Sequence, residues 1–431
     1  MDSGREVVVL SGVRTAIGDY GGALKDIPPT ELAAKVVREA VARAKVAPED
    51  VGHVVFGNVI HTEPKDMYLS RVATLNGGLP KETPALTLNR LCGSGLQAIV
   101  SAAQLIKLGD ADVALAGGAE SMSRGGYLNP ALRWGARMGD NSSIDMMVGA
   151  LTDPFDTVHM GITAENVAAK WEITRQQQDE LALESNRRAV KAAQSGYFKD
   201  QILPIEIKTR KGVTVVDTDE HPRADASLEN LAKLKTVFKP DGSVTAGNAS
   251  GINDGAAAVV LMERKAAEKK GVKPLARLVA YAHAGVDPKH MGIGPVPAVR
   301  KAMERAGLKV GDMDVIESNE AFAAQACAVA KELGFDGKKL NPNGGAIALG
   351  HPIGATGAIL TVKAIYELHR TGGRYALVTM CIGGGQGIAA IYEKLSFFYS
   401  HARATPGGSR PFLFERSLAR TAELSGARAS A

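Results

Sequence analysis

The sequence predicts an α/β fold with mostly buried sheets, organised as two related halves with a large insertion. Three observations support this prediction. Short apolar runs alternate with amphipathic helical stretches, one strand–turn–helix unit recurs at a fixed offset, and a middle segment interrupts the rhythm. A chain of 431 residues is long enough for such a duplicated fold, because an average domain has about 100–200 residues.

The strands are predicted from short runs of β-branched and apolar residues that are typical of buried sheets. These runs are 7–10, 54–56, 113–116, 278–281, 315–316, 376–380 and a closing strand over 387–392. Apolar residues at helical spacing predict amphipathic helices between them, as in 31–44 and 298–306. The alternation predicts helices packed on the faces of the sheets.

An internal repeat relates the two parts of the chain. Gly95 and Gly357 each open a helix with a similar apolar sequence, 262 positions apart (357 minus 95). Without a gap, the same offset aligns the strand at 113–116 with 375–378. A second pair with nearly the same spacing is formed by 54–58 and 315–319. Two pairs in register favour a true duplication over the rhythm that unrelated α/β units share.

A middle segment, residues 123–244, interrupts this repeat. It contains both tryptophans, a helical stretch over 174–194 and a polar run over 208–225. Because these features do not fit the strand–helix rhythm, we predict an inserted loop domain that lies over one face of the duplicated core.

The domain boundaries follow from this insertion. The N-terminal half is predicted to span 1–122 and to be completed by 245–270, and the C-terminal half to span 271–394. The final stretch, 395–431, is rich in Ser, Ala, Arg and Gly. We predict that it is a poorly ordered tail.

Composition is typical of a globular protein and disfavours several classes of partner. Hydrophobic residues make up 45% of the chain, charged residues 23%, and the formal net charge is +5. This slight excess suits an anionic small ligand and is too weak to predict nucleic-acid binding. We expect no apolar stretch to approach the ~18–20 residues of a membrane span. Three scattered cysteines and an N-terminus without room for a signal or transit peptide predict a cytoplasmic protein.

Cys92 is predicted to be a nucleophile because of its place before a helix. The residues that follow it show the spacing of a helix with one buried face: Leu96, Ile99, Val100 and Ala103. Flanking glycines allow a tight turn and close approach of a ligand. The unpaired N–H groups and the helix dipole favour a thiolate. A free cysteine is more often a small core residue, but the glycines and the helix start reverse that interpretation here.

Other side chains are predicted to share the site with Cys92. His351 lies between glycine-rich turns before a second helix. The segment alone fits equally well a loop histidine that is hydrogen-bonded to the backbone. Its place in the repeat, beside the counterpart of Cys92, favours a catalytic role. We predict that it takes the Cys92 proton and later helps to hold a thioester oxygen. Cys381 and Asn319 each follow a strand end, and four glycines lie beside Cys381. Cys327, inside an alanine-rich helix, is assigned to the core.

The sequence does not indicate a metal or nucleotide site. No CxxC, HxxxH or comparable pair of close ligands occurs, which argues against zinc, and no metal ligand is predicted. The glycine run at 383–387 lacks the Walker lysine, and the dinucleotide fingerprint does not follow the first strand. Nucleotide hydrolysis and hydride transfer are therefore disfavoured.

Seven sequence blocks in order resemble the thiolase family, and the resemblance covers about residues 5–394. It is closest to bacterial biosynthetic acetyl-CoA acetyltransferases and beta-ketothiolases. The blocks are Asn-Arg-Leu-Cys92-Gly-Ser-Gly, Gly-Gly-Ala-Glu120-Ser-Met-Ser, His159-Met160-Gly-Ile-Thr-Ala-Glu-Asn, Thr-Ala-Gly-Asn248-Ala-Ser250-Gly, Asn319-Glu-Ala-Phe, Gly-His351-Pro-Ile-Gly-Ala-Thr-Gly and Cys381-Ile-Gly-Gly-Gly-Gln-Gly.

The resemblance implies a fold and a set of catalytic roles. The fold would be a duplicated βαβαβαββ core in five layers, αβαβα, with the loop domain over the active site. Cys92 would be acylated with His351 as its activator, and Cys381 would exchange a proton with the acetyl-CoA methyl group. A water held by Asn319 would form one oxyanion hole with His351. The N–H groups of Cys92 and Gly383 would form the other.

The resemblance also implies substrates and assembly. The reaction would be the reversible Claisen condensation of acetyl-CoA with a short acyl-CoA, or thiolysis of the 3-ketoacyl-CoA, in fatty acid or polyhydroxyalkanoate metabolism. Coenzyme A enters as a substrate, no cofactor is bound permanently, and the assembly would be a homotetramer, a dimer of dimers. The channel for CoA and the acyl chain would be lined by His159, Met160, Arg223, Leu234, Phe238, Ala246, Ser250, Met291, Ala321 and Phe322.

Three alternatives stay open at the level of sequence. The first is a degradative 3-ketoacyl-CoA thiolase for longer chains; in the family a methionine at the position of Met160 caps the acyl pocket, which favours short substrates. The second is a ketoacyl synthase or hydroxymethylglutaryl-CoA synthase, which would lack the cysteine at position 381. The third is an inactive CoA-binding or scaffold protein, which would have lost one of the four catalytic side chains that are present here.

Overall fold

The structure is a computed structural model that describes residues 4–210 and 212–395. In this part of the chain, fifteen β-strands alternate with twelve α-helices. The strands are β1 Val7–Thr15, β2 Gly18–Asp19, β3 His53–Gly57, β4 Ala85–Leu88, β5 Val113–Ser121, β6 Tyr127–Leu128, β7 Ile144–Asp145, β8 Ile202–Leu203, β9 Ile205–Thr209, β10 Gly212–Val216, β11 Asn253–Glu263, β12 Ala276–Gly285, β13 Val315–Ser318, β14 Tyr375–Ile382 and β15 Gln386–Lys394. The helices are α1 Pro29–Ala44, α2 Leu69–Asn76, α3 Ser94–Leu108, α4 Met146–Ala150, α5 Met160–Lys170, α6 Arg175–Gln194, α7 Leu228–Ala232, α8 Arg264–Lys270, α9 Pro295–Ala306, α10 Ala323–Leu333, α11 Ala346–Leu349 and α12 Thr356–Thr371. The predicted tail, apart from Leu395, lies outside the described residues.

The main sheet has eleven strands and is continuous through both halves of the chain. Its order is β13-β14-β15-β12-β1-β11-β5-β3-β4, with β2 paired to β11 and β8 paired to β1. The halves join at a short antiparallel contact between β1 and β12, where Val8 pairs with Arg277 and Val9 with Ala276. The sheet is therefore two smaller sheets that meet edge to edge.

The strand pairing repeats in the two halves and confirms the predicted duplication. In the first half β3 runs parallel to β5, and β5, β11 and β1 are successively antiparallel. In the second half β13 runs parallel to β14, and β14, β15 and β12 are successively antiparallel. The edge strand β4 has only a reduced counterpart, a parallel bridge between Ile316 and Leu340.

The helices form layers around and between the two half-sheets. Helices α3 and α12 pack on each other and contact strands of both halves, so they form the central layer. Helices α1 and α2 cover the other face of the first half, and α9 covers the other face of β12 and β15. This is the implied αβαβα order. Strands β1, β5 and β11 are buried along their whole length, as expected for strands covered on both faces.

The central helices cross at two glycines that the repeat relates. A Cβ atom on Gly95 would lie 2.8 Å from the backbone nitrogen of Ala358, and one on Gly357 would lie 2.3 Å from that of Leu96. Only glycine permits this approach. The crossing brings the N-terminal ends of both helices, and the residues that precede them, to the same end of the molecule.

All seven predicted strands and the predicted helices lie within or overlap observed elements, but β11 was not predicted. Its sequence begins Asn-Asp-Gly and continues with three alanines, which have low β propensity. It forms a strand because it pairs with β1 on one side and β5 on the other and is fully buried. The region 245–270 was nevertheless expected to complete the first half.

The expectation about apolar stretches was wrong for one helix. Leu91–Leu108, 18 residues with a mean hydropathy of 1.3, is long and apolar enough to cross a membrane. In the structure 61% of this stretch is buried inside the protein, and its helix, α3, lies between the half-sheets. Packing on several sides explains its apolar composition.

The segment 123–244 contains α4 to α7 and two small two-stranded sheets. It is tied to the core by a fully buried ion pair, in which an Nη atom of Arg14 lies 2.7 Å from Oδ1 of Asp219. The same oxygen accepts a hydrogen bond from the N–H of Ile17 at 2.8 Å. This attachment holds the segment against the end of the core where α3 begins. The exact limits of the predicted domains stay predictions.

Candidate active site

A cavity of about 480 Å³ lies where the two halves of the core meet the 123–244 segment. Cys92 and His351 both line it. Eight of the ten residues predicted for the substrate channel also line it: His159, Met160, Phe238, Ala246, Ser250, Met291, Ala321 and Phe322. The other two, Arg223 and Leu234, line an adjoining pocket of about 360 Å³ that shares Ala246 with the cavity.

Cys92 lies in a strained turn immediately before α3. The preceding residue, Leu91, has φ of 44°, in the left-handed region that costs energy for a residue other than glycine. Ser94 holds the turn together: its Oγ accepts from the N–H of Arg90 at 2.8 Å and donates to the carbonyl of Leu91 at 2.7 Å. Gly93 packs against Ile382 of the other half, with room only for a hydrogen on its Cα. The turn thus presents Cys92 at the junction of the halves.

The Cys92 thiol is protonated at neutral pH. Burial raises its pKa to about 11, although the N–H groups of Gly383 and of Cys92 itself bond to the sulfur and lower the pKa; nearby Glu120 raises it further. The helix start favours a thiolate, as predicted, but burial outweighs the effect of those N–H groups on the pKa. The sulfur needs a base before it can attack.

His351 lines the same cavity as Cys92 and is the candidate for that base. Its Nδ1 lies 2.6 Å from Oγ1 of Thr356, whose single hydroxyl proton is donated to the carbonyl of Pro352 at 3.0 Å. With the hydroxyl proton directed at the Pro352 carbonyl, Nδ1 carries the ring proton, which leaves a lone pair on Nε2. Burial lowers the pKa of His351 to about 4, so the ring is neutral. A neutral imidazole with a free Nε2 can accept a proton.

Asn319 stands beside His351. Its Nδ2 lies 3.3 Å from Nε2 of His351. The Asn319 backbone is fixed on both sides, because its N–H donates to the carbonyl of Thr379 and its carbonyl accepts from Nε2 of Gln325, each at 3.0 Å. Its Oδ1 is buried with no partner among the described residues. An amide in this position can hold a water or a substrate oxygen near the imidazole.

Cys381 lies behind the cavity wall. It is fully buried and packs with Met160, Met291 and Phe322, all of which line the cavity. Burial raises its pKa, and the proximity of Cys92 raises the pKa further because two thiolates would repel. Cys381 lies near the end of β14 and does not itself line the cavity. The two sulfurs nevertheless interact, so they share one site.

Aromatic and small residues shape the cavity wall. The rings of His159 and Phe238 stack with centroids 4.5 Å apart, and Phe238 meets Phe322 edge to face at 6.2 Å. Met160 is buried, and its Cε would lie 2.2 Å from a Cβ on Gly383, so the two pack closely. The N–H of Gly161 donates to Nδ1 of His159 at 3.0 Å, and burial lowers the pKa of that ring, so it is neutral.

Cys327 does not belong to this site. It is partly buried on α10, and its sulfur lies 3.8 Å from the carbonyl of Gln177 on α6. The assignment to the core is therefore correct only in part. In the described residues there is no group of three or more His, Cys, Asp or Glu side chains that could hold a metal ion.

Several residues at the site were not predicted from sequence. Thr356 orients His351, and Oδ1 of Asn253 accepts from the N–H of His351 at 2.9 Å. In the cavity lining, Nδ1 of His221 lies 2.6 Å from Oδ1 of Asp19. Thr356 follows His351 in one recognised block, which is a usable signal. No local pattern connects Asp19 with His221, because 202 positions separate them.

A cavity lined by a thiol and a neutral imidazole, with a second thiol buried behind its wall, on a duplicated α/β core is the arrangement of an enzyme that transfers acyl groups through a thioester. The chain matches the thiolase N-terminal domain over residues 7–265 and the thiolase C-terminal domain over residues 272–394. These matches show that it belongs to the thiolase family, whose members are acyltransferases.

Similar proteins agree with this assignment. The chain is 70% identical to the beta-ketothiolase BktB of Cupriavidus necator over 392 residues, which cover 91% of this chain and 100% of that protein. It is 48% identical to the human mitochondrial 3-ketoacyl-CoA thiolase over 391 residues, 90% of this chain and 98% of the human protein.

Solved structures give the same result. The crystal structure of the Bacillus anthracis acetyl-CoA acetyltransferase matches with a TM-score of 0.89 and 49% identity, covering 91% of this chain and 99% of that one. The human mitochondrial 3-ketoacyl-CoA thiolase in complex with CoA matches with a TM-score of 0.88 and 47% identity, covering 91% and 98%. The implied thiolase fold is therefore confirmed.

Proposed function

We propose that the chain catalyses the reversible condensation of acetyl-CoA with a short acyl-CoA to a 3-ketoacyl-CoA, and thiolysis in reverse, through acyl-Cys92. The observation that carries the proposal is a cavity lined by Cys92 and His351, with Asn319 against the imidazole and Cys381 buried behind the cavity wall near Cys92. The names of the beta-ketothiolase and acetyl-CoA acetyltransferase relatives support the same chemistry.

In the first step Cys92 is acylated. Nε2 of His351 takes the thiol proton, and the sulfur attacks the thioester carbonyl of the acyl-CoA. The N–H groups of Cys92 and Gly383, which already point at the sulfur, stabilise the oxyanion that forms. The bond to the CoA sulfur breaks, and the departing thiolate takes the proton from the His351 imidazolium. This leaves acyl-Cys92, neutral His351, thiol Cys381 and free CoA.

In the second step a carbon–carbon bond forms. His351 takes the proton of Cys381, and the Cys381 thiolate removes a methyl proton from acetyl-CoA. The enolate oxygen is held by the His351 imidazolium and by Asn319, directly or through a water. The enolate carbon attacks acyl-Cys92, and the Cys92 sulfur leaves with the proton of His351. All three groups return to their resting protonation states.

The adjoining pocket gives a route for the rest of coenzyme A. Arg223 is exposed there, and its guanidinium has no partner in the part of the chain that the structure describes. Phosphate groups pair well with arginine, so this pocket suits the nucleotide end of CoA. Ser250, Ala246 and Leu234 lie along the way to the cavity. No permanently bound cofactor is needed for this chemistry.

A degradative thiolase with longer substrates is the second candidate. The cavity of about 480 Å³ and the human 3-ketoacyl-CoA thiolase relative favour it, whereas the buried Met160 against Gly383 favours short chains. We expect thiolysis of acetoacetyl-CoA and 3-ketopentanoyl-CoA to be faster than that of a ten-carbon 3-ketoacyl-CoA. Fastest turnover of the ten-carbon substrate would favour the degradative enzyme.

We further propose a homotetramer located in the cytoplasm, with a role in fatty acid or polyhydroxyalkanoate metabolism. The segment after β5 exposes a group of large apolar side chains suited to burial between subunits: Tyr127, Leu128, Leu132, Trp134 and Met138. Light scattering on the purified protein measures the mass of the assembly. A monomer would contradict this part of the proposal.

The proposed function is tested by acyl transfer to the enzyme. Incubation with acetyl-CoA and peptide mass spectrometry should find the acetyl group on Cys92, together with net formation of acetoacetyl-CoA. Absence of both would contradict the function, and acetylation without condensation would indicate a non-condensing relative.

A further inference from the structure

Glu320 is a buried carboxylate that joins three parts of the wall around Asn319. It is 3% exposed and follows Asn319 directly in the chain. Its Oε1 accepts from Nδ2 of Asn341 at 2.9 Å. Its Oε2 accepts from Oγ of Ser185 at 2.7 Å and from the N–H of Ile347 at 3.3 Å. One side chain therefore connects the end of β13 with α6, with α11 and with Asn341, which lies between α10 and α11.

The first of these contacts fixes the strand end that carries Asn319. Asn341 pairs with Ser318 in both directions: its Oδ1 accepts from the Ser318 N–H and its Nδ2 donates to the Ser318 carbonyl, each at 2.9 Å. The Asn341 amide therefore cannot rotate without breaking both bonds. Its remaining N–H direction is used by Glu320.

The other contacts fix the segment that leads to His351. Gly345 precedes α11 and packs against Glu320 so closely that a Cβ there would lie 2.2 Å from the carboxyl carbon. The N–H of Gly345 donates to Oγ of Ser185 at 3.0 Å. His351 lies two residues after the end of α11. The carboxylate thus sits between the two chain segments that carry the oxygen-binding pair.

We propose that Glu320 is a positioning residue, which holds Asn319 at the distance from His351 at which both bind one enolate oxygen. The inference rests on the proposed function. Each group that faces the carboxylate acts as a donor toward it, so an acceptor on both oxygens is required. A glutamine amide would direct its NH2 group at the NH2 group of Asn341 or at the N–H of Ile347. Two donors would then face each other, and that hydrogen bond of Glu320 would be lost.

The effect should fall on one half of the reaction. His351 keeps its own anchors, Thr356 and Asn253, so its role as base toward Cys92 does not depend on Glu320. Asn319 has no second anchor for its side chain among residues 4–210 and 212–395. Loss of the hydrogen bonds to Glu320 should therefore weaken enolate formation more than acylation of Cys92.

The test compares two half-reactions in Glu320→Gln. Acylation is measured as exchange of labelled CoA into acetyl-CoA, and enolate formation as condensation together with deuterium uptake by the acetyl-CoA methyl group in D2O. We expect condensation and deuterium uptake to fall about 10- to 100-fold while exchange stays within about twofold, because small misplacements of reacting groups cost up to ~10² in rate. Glu263→Gln is the matched control: Glu263 is also buried and accepts from a backbone N–H, but it lies at the far end of β11.

Each outcome has one meaning. A wild-type enzyme without exchange or condensation contradicts the proposed function itself. If the wild type is active and Glu320→Gln is unchanged, the positioning role is overturned. It is also overturned if Glu320→Gln lowers both half-reactions equally, in proportion to the fraction of Cys92 that can still be acylated. If Glu320→Gln does not fold, Ser185→Ala removes one donor to the same carboxylate, and an unchanged ratio of the two half-reactions in that variant overturns the inference.

Discussion

At Cys92, burial and hydrogen bonding act on the thiol in opposite directions. Burial raises the pKa to about 11 even though the N–H groups of Gly383 and Cys92 favour the thiolate. The same N–H groups stabilise negative charge most strongly once it has moved to a substrate oxygen beside the sulfur. The environment is therefore better suited to the oxyanion of the reaction than to the resting thiolate.

The raised pKa of Cys92 predicts a pH dependence. Because the thiolate reacts and its pKa lies near 11, alkylation of Cys92 by iodoacetamide should rise about tenfold per pH unit from neutral pH upward. The rate is measured by peptide mass spectrometry on the folded enzyme. A plateau reached below pH 8 would show that Cys92 is already a thiolate at rest.

The imidazole of His351 depends on Thr356 for its tautomer. Thr356→Val removes the acceptor of the Nδ1 proton while keeping the side-chain volume, so acylation of Cys92 should slow about 10- to 100-fold, part of the ~10²–10⁴ that a positioned base contributes. CoA exchange measures this step. Thr356→Ser keeps the hydroxyl and should stay near wild type; equal loss in both variants would assign the effect to packing.

Sequence could predict which side chains come together but not how burial changes their pKa values. The glycines around Cys92, the repeat and the seven blocks predict Cys92, His351, Asn319 and Cys381 as the catalytic side chains. The balance between helix-end N–H groups and burial depends on residues from both halves, so the resting thiol could not be inferred locally. The pairing of Asp19 with His221 also depends only on the tertiary fold.

Among the elements, the crossing of α3 and α12 decides where the site forms. Gly95→Ala would place a methyl group 2.8 Å from a backbone nitrogen of α12, which cannot move aside like a flexible side chain. Overpacking of this kind costs about 1–3 kcal/mol, so the thermal midpoint should fall. Gly149→Ala in α4 is the control, because no atom outside its own helix lies within 4 Å of the new methyl. Equal midpoints for both variants would contradict the tight crossing.

Strands with β-branched residues could be predicted, whereas β11 could not. Its alanines read as helix-forming in isolation, and their small side chains are needed only because β11 lies in the middle of a half-sheet with helices on both faces. Helix α3 gave a second error: an apolar stretch of membrane-span length was not expected. Its apolar sequence reflects burial between the two half-sheets. Both errors arise where tertiary packing outweighs local preference.

For the whole molecule, duplication produces one site and not two. Cys92 comes from the first half, while Asn319, His351 and Cys381 come from the second. The offset of 262 places Gly354 opposite Cys92 and Ala119 opposite Cys381, so the second copy of the site has no thiol. The crossing of α3 and α12 then brings the functional half-sites together at one cavity.

The shared cavity is the central claim, and the most direct measurement is the division of labour between its two thiols. Cys381→Ala should retain acetylation of Cys92 and CoA exchange near the wild-type rate while condensation falls to background. Cys92→Ala should lose acetylation, exchange and condensation together. Loss of exchange as well as condensation in a folded Cys381→Ala, or condensation that survives without Cys381, would contradict the account.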